Sequence, residues 1–312
     1  LLNLRIENME KITLANTAAG AGNSLSLSRI IYGMWRLGDD PDTSPKHIQA
    51  KIEACLEQGI STFDQADIYG AYTAEGLLGA TLKQAPALRE QMDIITKCDI
   101  VAPIGIHADK PVKYYDSSKS AINQSVDRSL QEMAIEQIDL LLIHRPDPLM
   151  DANETAEALD EFIASGKVKA VGVSNFRPWD MDLLQSRMSN RLVTNQIEIS
   201  LGQNTALTNG DLAYLQRHKI APMAWSPLTG GQLLQDSQSA LALKLNKMAA
   251  MHGVAPSSIA IAWLLQHPAA ILPVMGSNNI ERIKLFGEAL NVQLDRPSWF
   301  ELLEAATGHE VP

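Results

Sequence analysis

The chain has 312 residues, 46% of them apolar, and a formal net charge of −10. That acidity argues against nucleic acid as the main partner, because phosphate backbones demand a basic face; it leaves room for an anionic cofactor gripped by a few local Arg and Lys side chains. Apolar runs such as Ile138–Ile143 and Ser258–Gln266 fall far short of the ~20 residues needed to span a bilayer, so no membrane partner is expected.

No basic-then-apolar leader opens the chain, and its two cysteines, Cys55 and Cys98, give neither a disulfide framework nor zinc spacing. Both features suit a reducing cytoplasm. Residues 1–8 precede Met9 and read as an extension, with residues 9–312 forming one domain.

Leu14–Leu27 reads as a hairpin. Eight short β-rich runs follow: Arg29–Met34, Ile60–Asp64, Asp93–Lys97, Ile138–His144, Ala170–Ser174, Val193–Glu198, Ala221–Trp225 and Ile271–Met275. Segments of helical period separate them. Ser44 and Pro45 open one helix, with Ile48, Ile52, Cys55 and Leu56 on its apolar face and Gly59 as its stop. Ile122, Val126, Leu130 and Met133 mark a second. Ala156, Leu159 and Ile163 mark a third, ending at Gly166, where a left-handed cap costs no Cβ clash.

Strand–helix–strand alternation with near-continuous apolar strands implies a parallel sheet covered by helices. Eight units, with no G-x-G-x-x-G turn after the first strand, favour a closed barrel over an open sheet. The predicted fold is an α/β, (β/α)8 TIM barrel with the N-terminal hairpin on its floor and extra C-terminal helices. Ile100–Ser118 is long for a strand–helix connection and is a candidate active-site loop. Gln232–Ala240 is a second candidate wall or lid.

In such a barrel the active site lies at the C-terminal ends of the strands. Asp64, Lys97 and His144 end the second, third and fourth strands, and Tyr69 follows Asp64 closely. Each alone is more often a cap, a surface charge or a satisfied core or rim group; the case rests on four suitable types at successive strand ends. A phenol has a pKa near 10, too high for efficient acid–base work near neutrality. An ammonium about 4 Å away would favour phenolate by about 4 kcal/mol at an effective dielectric of 20. A barrel hydrolase working with two carboxylates would have only Asp64 and Glu198 to use.

The motifs F-D-Q-A-D-I-Y-G (63–70), I-T-K (95–97), L-L-I-H (141–144), G-V-S-N-F (172–176), N-Q-I-E-I-S (195–200), W-S-P-L (225–228) and G-S-x-x-x-E-R-I (276–283) stand in this order. Together they resemble the aldo-keto reductase family, over nearly the whole chain from about Ser28. The resemblance implies NADPH-dependent reduction of an aldehyde or ketone to an alcohol, with hydride leaving C4 of the nicotinamide. Tyr69 would be the general acid, Lys97 and Asp64 the pair that lowers its pKa, and His144 the residue orienting the carbonyl. No metal is called for, since Tyr69 and His144 meet the developing alkoxide. A monomer acting on a small-molecule carbonyl substrate is the family expectation.

Barrels often bind phosphate with the loops after strands seven and eight. Here those loops are Ser226–Gly231, with Pro227, Leu228, Gly230 and Gly231, and Gly276–Asn279, with Ser277 and Asn278. Glycines there let backbone amides approach an anion, and Ser226 and Ser277 add hydroxyls. The resemblance further implies that Trp225 stacks on the nicotinamide while Ser174, Asn175 and Gln196 hold its carboxamide. Gly33, Met34 and Trp35 would line the cofactor and substrate. Arg282 matches a position that grips the 2′-phosphate of NADP. Leu285 and Phe286 stand where many members carry Glu and Asn for the adenine. Arg145 has two readings, a contact to a substrate acid group or a salt bridge to a neighbouring loop. A nucleotide-binding regulatory module, similar to potassium-channel β-subunits, is the alternative to an enzyme.

Overall fold

Eight parallel strands close into a barrel in a computed structural model that describes residues 11–14 and 24–311. They are β1 (Ile31–Gly33), β2 (Thr62–Asp64), β3 (Asp93–Cys98), β4 (Ile138–Ile143), β5 (Val168–Ser174), β6 (Leu192–Glu198), β7 (Met223–Trp225) and β8 (Leu272–Met275). Each pairs with its successor, and β8 returns to β1 with Val274 opposite Ile31 and Met275 opposite Tyr32. All eight fall where the sequence places them. The predicted extension at residues 1–8 and the turn of the hairpin lie outside the described residues.

The outer layer contains α1 (Pro45–Leu56), α2 (Ala74–Gln84), α3 (Lys119–Met133), α4 (Ala152–Ala164), α5 (Pro178–Gln185), α6 (Asp211–Arg217), α7 (Ala240–His252), α8 (Pro256–Leu265) and α9 (Arg296–Thr307). Their starts are set by side-chain caps that satisfy otherwise orphaned amides. Ser44 accepts from the His47 amide with Pro45 at the first position of α1, Ser118 accepts from Ala121 at α3, and Asp151 accepts from Asn153 and Glu154 at α4. On α4 the buried positions are Ala152, Thr155, Ala156, Ala158, Leu159 and Phe162; Ile163 is half-buried.

Strand alternation divides the core in two. Leu140 and Leu142 point into the barrel with Ile31, Ile95, Val193, Met223 and Leu272, whereas Leu141 and Ile143 face the helices. The strands Lys11–Leu14 and Leu25–Ser28 form an antiparallel ladder, and Leu14, Leu25 and Leu27 join the inner cluster. The hairpin therefore plugs the barrel, each buried leucine contributing about 1.5–3 kcal/mol. At the other extreme of the chain, α9 docks on α8. The Trp263 and Trp299 rings stack at 4.6 Å, and each indole N–H donates to the other residue's carbonyl. No single described helix is long and apolar enough to cross a membrane.

Candidate active site

A period of two decides which strand-end side chains meet. Ile95 and Leu142 point into the barrel, so Lys97 and His144, two residues further along, do as well; Thr62 and Asp64 share the corresponding face of β2. The Lys97 ammonium is fully buried and donates to Asp64 Oδ2 at 2.8 Å, to the Gln65 carbonyl at 2.8 Å and to the Tyr69 hydroxyl at 3.0 Å. The Tyr69 and His144 rings meet edge to face, with centroids 6.1 Å apart. All four predicted side chains converge.

The local backbone explains how Tyr69 is aimed. Gly70, Ala71 and Tyr72 all have positive φ, which curls the chain sharply after Tyr69. Thr73 Oγ1 donates to the Gly70 carbonyl and closes the curl. Ladder bonds continue beyond the strands, from Gln65 N to the Ile95 carbonyl and from Asp67 N to the Lys97 carbonyl, so the Asp64–Tyr69 segment is stitched to β3.

Electrostatics modify the expectation from sequence. Burial pushes the Tyr69 phenol up; Lys97 pulls it down and Asp64 pushes it up again, leaving it above its ordinary value. The predicted net lowering by Lys97 and Asp64 is therefore not what the protein alone provides, because Asp64 cancels part of the ammonium's field and desolvation supplies the rest. Burial works against the Lys97 charge, but Asp64 and Tyr69 outweigh it and hold the ammonium above its usual range. Burial, with the charges of Lys97, Arg145 and Lys113, keeps His144 far below the ordinary histidine value, hence a neutral imidazole.

Beyond these four, Gln196 Nε2 donates to Asp64 Oδ1 at 2.8 Å. Ser174 Oγ donates to the Gln196 carbonyl at 2.8 Å, and Asn175 Nδ2 donates to Ser174 Oγ at 2.8 Å and to the His144 carbonyl at 3.2 Å. Asn175 Oδ1 accepts from the Trp225 indole at 3.0 Å. One chain of bonds thus runs from the Asp64 carboxylate to the half-buried Trp225 ring.

A profile of the Aldo/keto reductase family matches residues 29–306. The chain belongs to the aldo/keto reductase family. A 6-dehydroglucose reductase of Agrobacterium fabrum is 59% identical over 303 residues, spanning 97% of this chain and 100% of that one. Oxidoreductase YdhF of Escherichia coli is 41% identical over 293 residues, with 91% and 95% covered. An aldo/keto reductase from Klebsiella pneumoniae, crystallised with NADP and acetate, shares the fold with a TM-score of 0.73 at 23% identity, over 92% of this chain and 93% of that one. The protein is an oxidoreductase of this family.

In this reductase the remaining predicted positions divide. Gly33 lies flush against β8, where a Cβ would stand 3.0 Å from Val274 Cγ1. Met34 is buried with its side chain in the barrel–helix layer, its sulfur accepting from Gln65, because strand alternation turns it away from the mouth. Trp35 is 61% exposed. In the loop after β7, Pro227 is buried and Leu228 half-buried. The amides of Gly230 and Gly231 donate to Ser226 Oγ and to the Leu228 carbonyl, so they close the turn instead of pointing outward as the sequence suggested. In the loop after β8, Gly276 is exposed, Ser277 Oγ accepts from the Asn279 amide, and Asn278 bonds within the protein. Arg282 is exposed on the single helical turn Ile280–Ile283, capped by Asn279. Leu285 is exposed; Phe286 is core, near the Tyr32 ring. No salt bridge of Arg145 forms among the described residues; its backbone N–H donates to Asp99. Asp64, committed to Lys97 and Gln196, is no free partner for Glu198 in paired-carboxylate hydrolysis.

Proposed function

We propose that this reductase uses NADPH to convert an aldehyde or ketone into an alcohol, with Tyr69 as proton donor. The observation that carries the reading is the buried ammonium of Lys97, held 2.8 Å from Asp64 and 3.0 Å from the Tyr69 hydroxyl. When bound, NADPH supplies the hydride. Tyr69, protonated at neutral pH because its pKa lies above the ordinary value, gives its proton to the carbonyl oxygen. Neutral His144 donates an N–H to the same oxygen, and the phenolate that remains is balanced by Lys97.

The nucleotide reading is supported by charge. In a chain of net charge −10, Arg36 and Arg282 stand exposed beside the loops after β1 and β8 without an ion-pair partner among the described residues. Two guanidinium groups suit a diphosphate and a 2′-phosphate, which favours NADPH over NADH. Trp225, fixed by Asn175, offers a ring face for the nicotinamide, with Ser174, Asn175 and Gln196 as its polar frame. The similarity to a 6-dehydroglucose reductase supports a sugar carrying its carbonyl at the sixth carbon as substrate. A cytoplasmic location fits two buried, unpaired cysteines.

Parallel fluorescence titrations with NADPH and NADH, followed by 6-dehydroglucose and 4-nitrobenzaldehyde as substrates, test this. NADPH is expected to bind more tightly and to be consumed with both carbonyls. Binding without turnover would mark a regulatory module, and binding of neither nucleotide would refute the reading.

A further inference from the structure

We propose that Lys51 is a positioning residue for the dinucleotide, fixing the two arginine-bearing loops from beneath. This rests on reading the loops after β1 and β8 as the phosphate site. Lys51 lies on α1 and its side chain is completely buried, yet it plays no part in the Tyr69–Lys97 cluster. Its ammonium bonds to Asp40, in the loop after β1, and donates to Asn278 Oδ1, in the loop after β8, at 3.1 Å. The other end of the Asn278 amide donates to the Arg36 carbonyl at 2.6 Å. One ammonium therefore ties α1, the backbone that carries Arg36 and the loop that leads into Arg282.

The surroundings strengthen this reading. Burial pushes the Asp40 carboxyl up, but the bond and charge of Lys51 prevail and hold it below the usual carboxylate range. His47 also faces Asp40, at 3.2 Å. Just beyond α1, buried Gln58 donates to the Ile283 carbonyl and accepts from the Gly287 amide, bracing the far side of the Arg282 turn. The Tyr32 hydroxyl donates to the Ser277 carbonyl at 2.8 Å, and Gly276 sits so close to Gly33 that a Cβ would stand 3.2 Å from its carbonyl. Ser277, Asn278 and Asn279 are thus each bonded within the protein. A buried ion pair is weak evidence for added stability, and its best-attested use is to select one conformation. Here the selected conformation fixes the backbone that carries Arg36 and the loop that leads into Arg282.

The test compares wild type with Lys51→Met, which keeps the apolar stem, and with Asn278→Ala, which leaves the buried pair intact. Dissociation constants for NADPH come from fluorescence, and hydrogen exchange is followed in nucleotide-free protein. Misplacing binding groups by about 1 Å can cost on the order of tenfold or more. Both variants are expected to raise the NADPH dissociation constant by about that factor. In Lys51→Met the loss should appear in the cofactor KM and not in kcat, and the Asn279 and Arg282 amides should exchange faster than in wild type. Should Lys51→Met fail to fold, Asn278→Ala carries the test alone. Tight binding by wild type with unchanged affinity in Asn278→Ala would overturn the positioning role while leaving the nucleotide reading intact. Wild type that binds no dinucleotide would overturn both.

Discussion

Lys97 shows how much depends on a few ångströms. Its three acceptors, Asp64, the Gln65 carbonyl and Tyr69, use all the donors an ammonium has. Replacing it with Met removes both the bond to the phenol and the charge that restrains its pKa. Lys97→Met is expected to lower kcat by about 10²-fold or more, checked by steady-state kinetics alongside a melting curve, since Asp64 then loses its counter-charge. His144 is neutral throughout the working range, so the wild-type kcat profile should lack a histidine step between pH 6 and 8. The four central residues are legible in the sequence because strand period and motif order both mark them. Gln196's bond to Asp64 and Lys51's bond to Asn278 are not, since they join residues 132 and 227 positions apart and leave no local pattern.

Among the elements, the long connection after β3 braces the curl that follows Tyr69. Ile100–Val101 pairs with Tyr114–Tyr115, a ladder too short to show any period in the sequence. The Tyr72 hydroxyl donates to the Ile100 carbonyl and accepts from the Ala102 amide, joining this loop to the curl that aims Tyr69. Gly105 lies on the same curl with φ +54, and a Cβ there would stand 2.2 Å from the Ala71 carbonyl oxygen. Neither the conformation nor the space admits a side chain. Gly105→Ala should push the loop off the curl and lower kcat/KM by about tenfold, a loss comparable to other small misplacements of reacting groups. Its melting temperature should fall by only a few degrees. Unchanged kcat/KM would show that the loop does not position Tyr69.

Across the whole molecule, the closed barrel was readable because eight apolar runs alternate with capped helices and nothing else in the chain competes. What the pattern hid is the set of acids the fold buries behind the site. Glu75 accepts from Thr96 on β3 and from Ser129 on α3, with Asp67 and Arg128 nearby, and burial pushes its carboxyl up to about 7. Burial likewise raises Asp67 to about 6, although Ser125 and Arg128 restrain it. A carboxyl that binds its proton more tightly folded than unfolded makes the fold lose stability as pH rises from its unfolded value toward its folded one. Stability from these two groups is therefore greatest below about pH 4 and is lost progressively as pH rises to about 7. Glu75→Gln should gain a few degrees in melting temperature over wild type at pH 8, and no such gain at pH 4.5, measured by calorimetry at both values.

The proposed proton donor, Tyr69, is the point on which the proposed chemistry turns. Tyr69→Phe keeps the ring and removes only the hydroxyl that Lys97 touches. Turnover of a carbonyl substrate at saturating NADPH should fall by about 10³-fold or more, as expected when a positioned general acid is lost, while the NADPH dissociation constant stays within a few-fold of wild type. Turnover close to that of the wild-type enzyme in this variant would rule out Tyr69 as the proton donor.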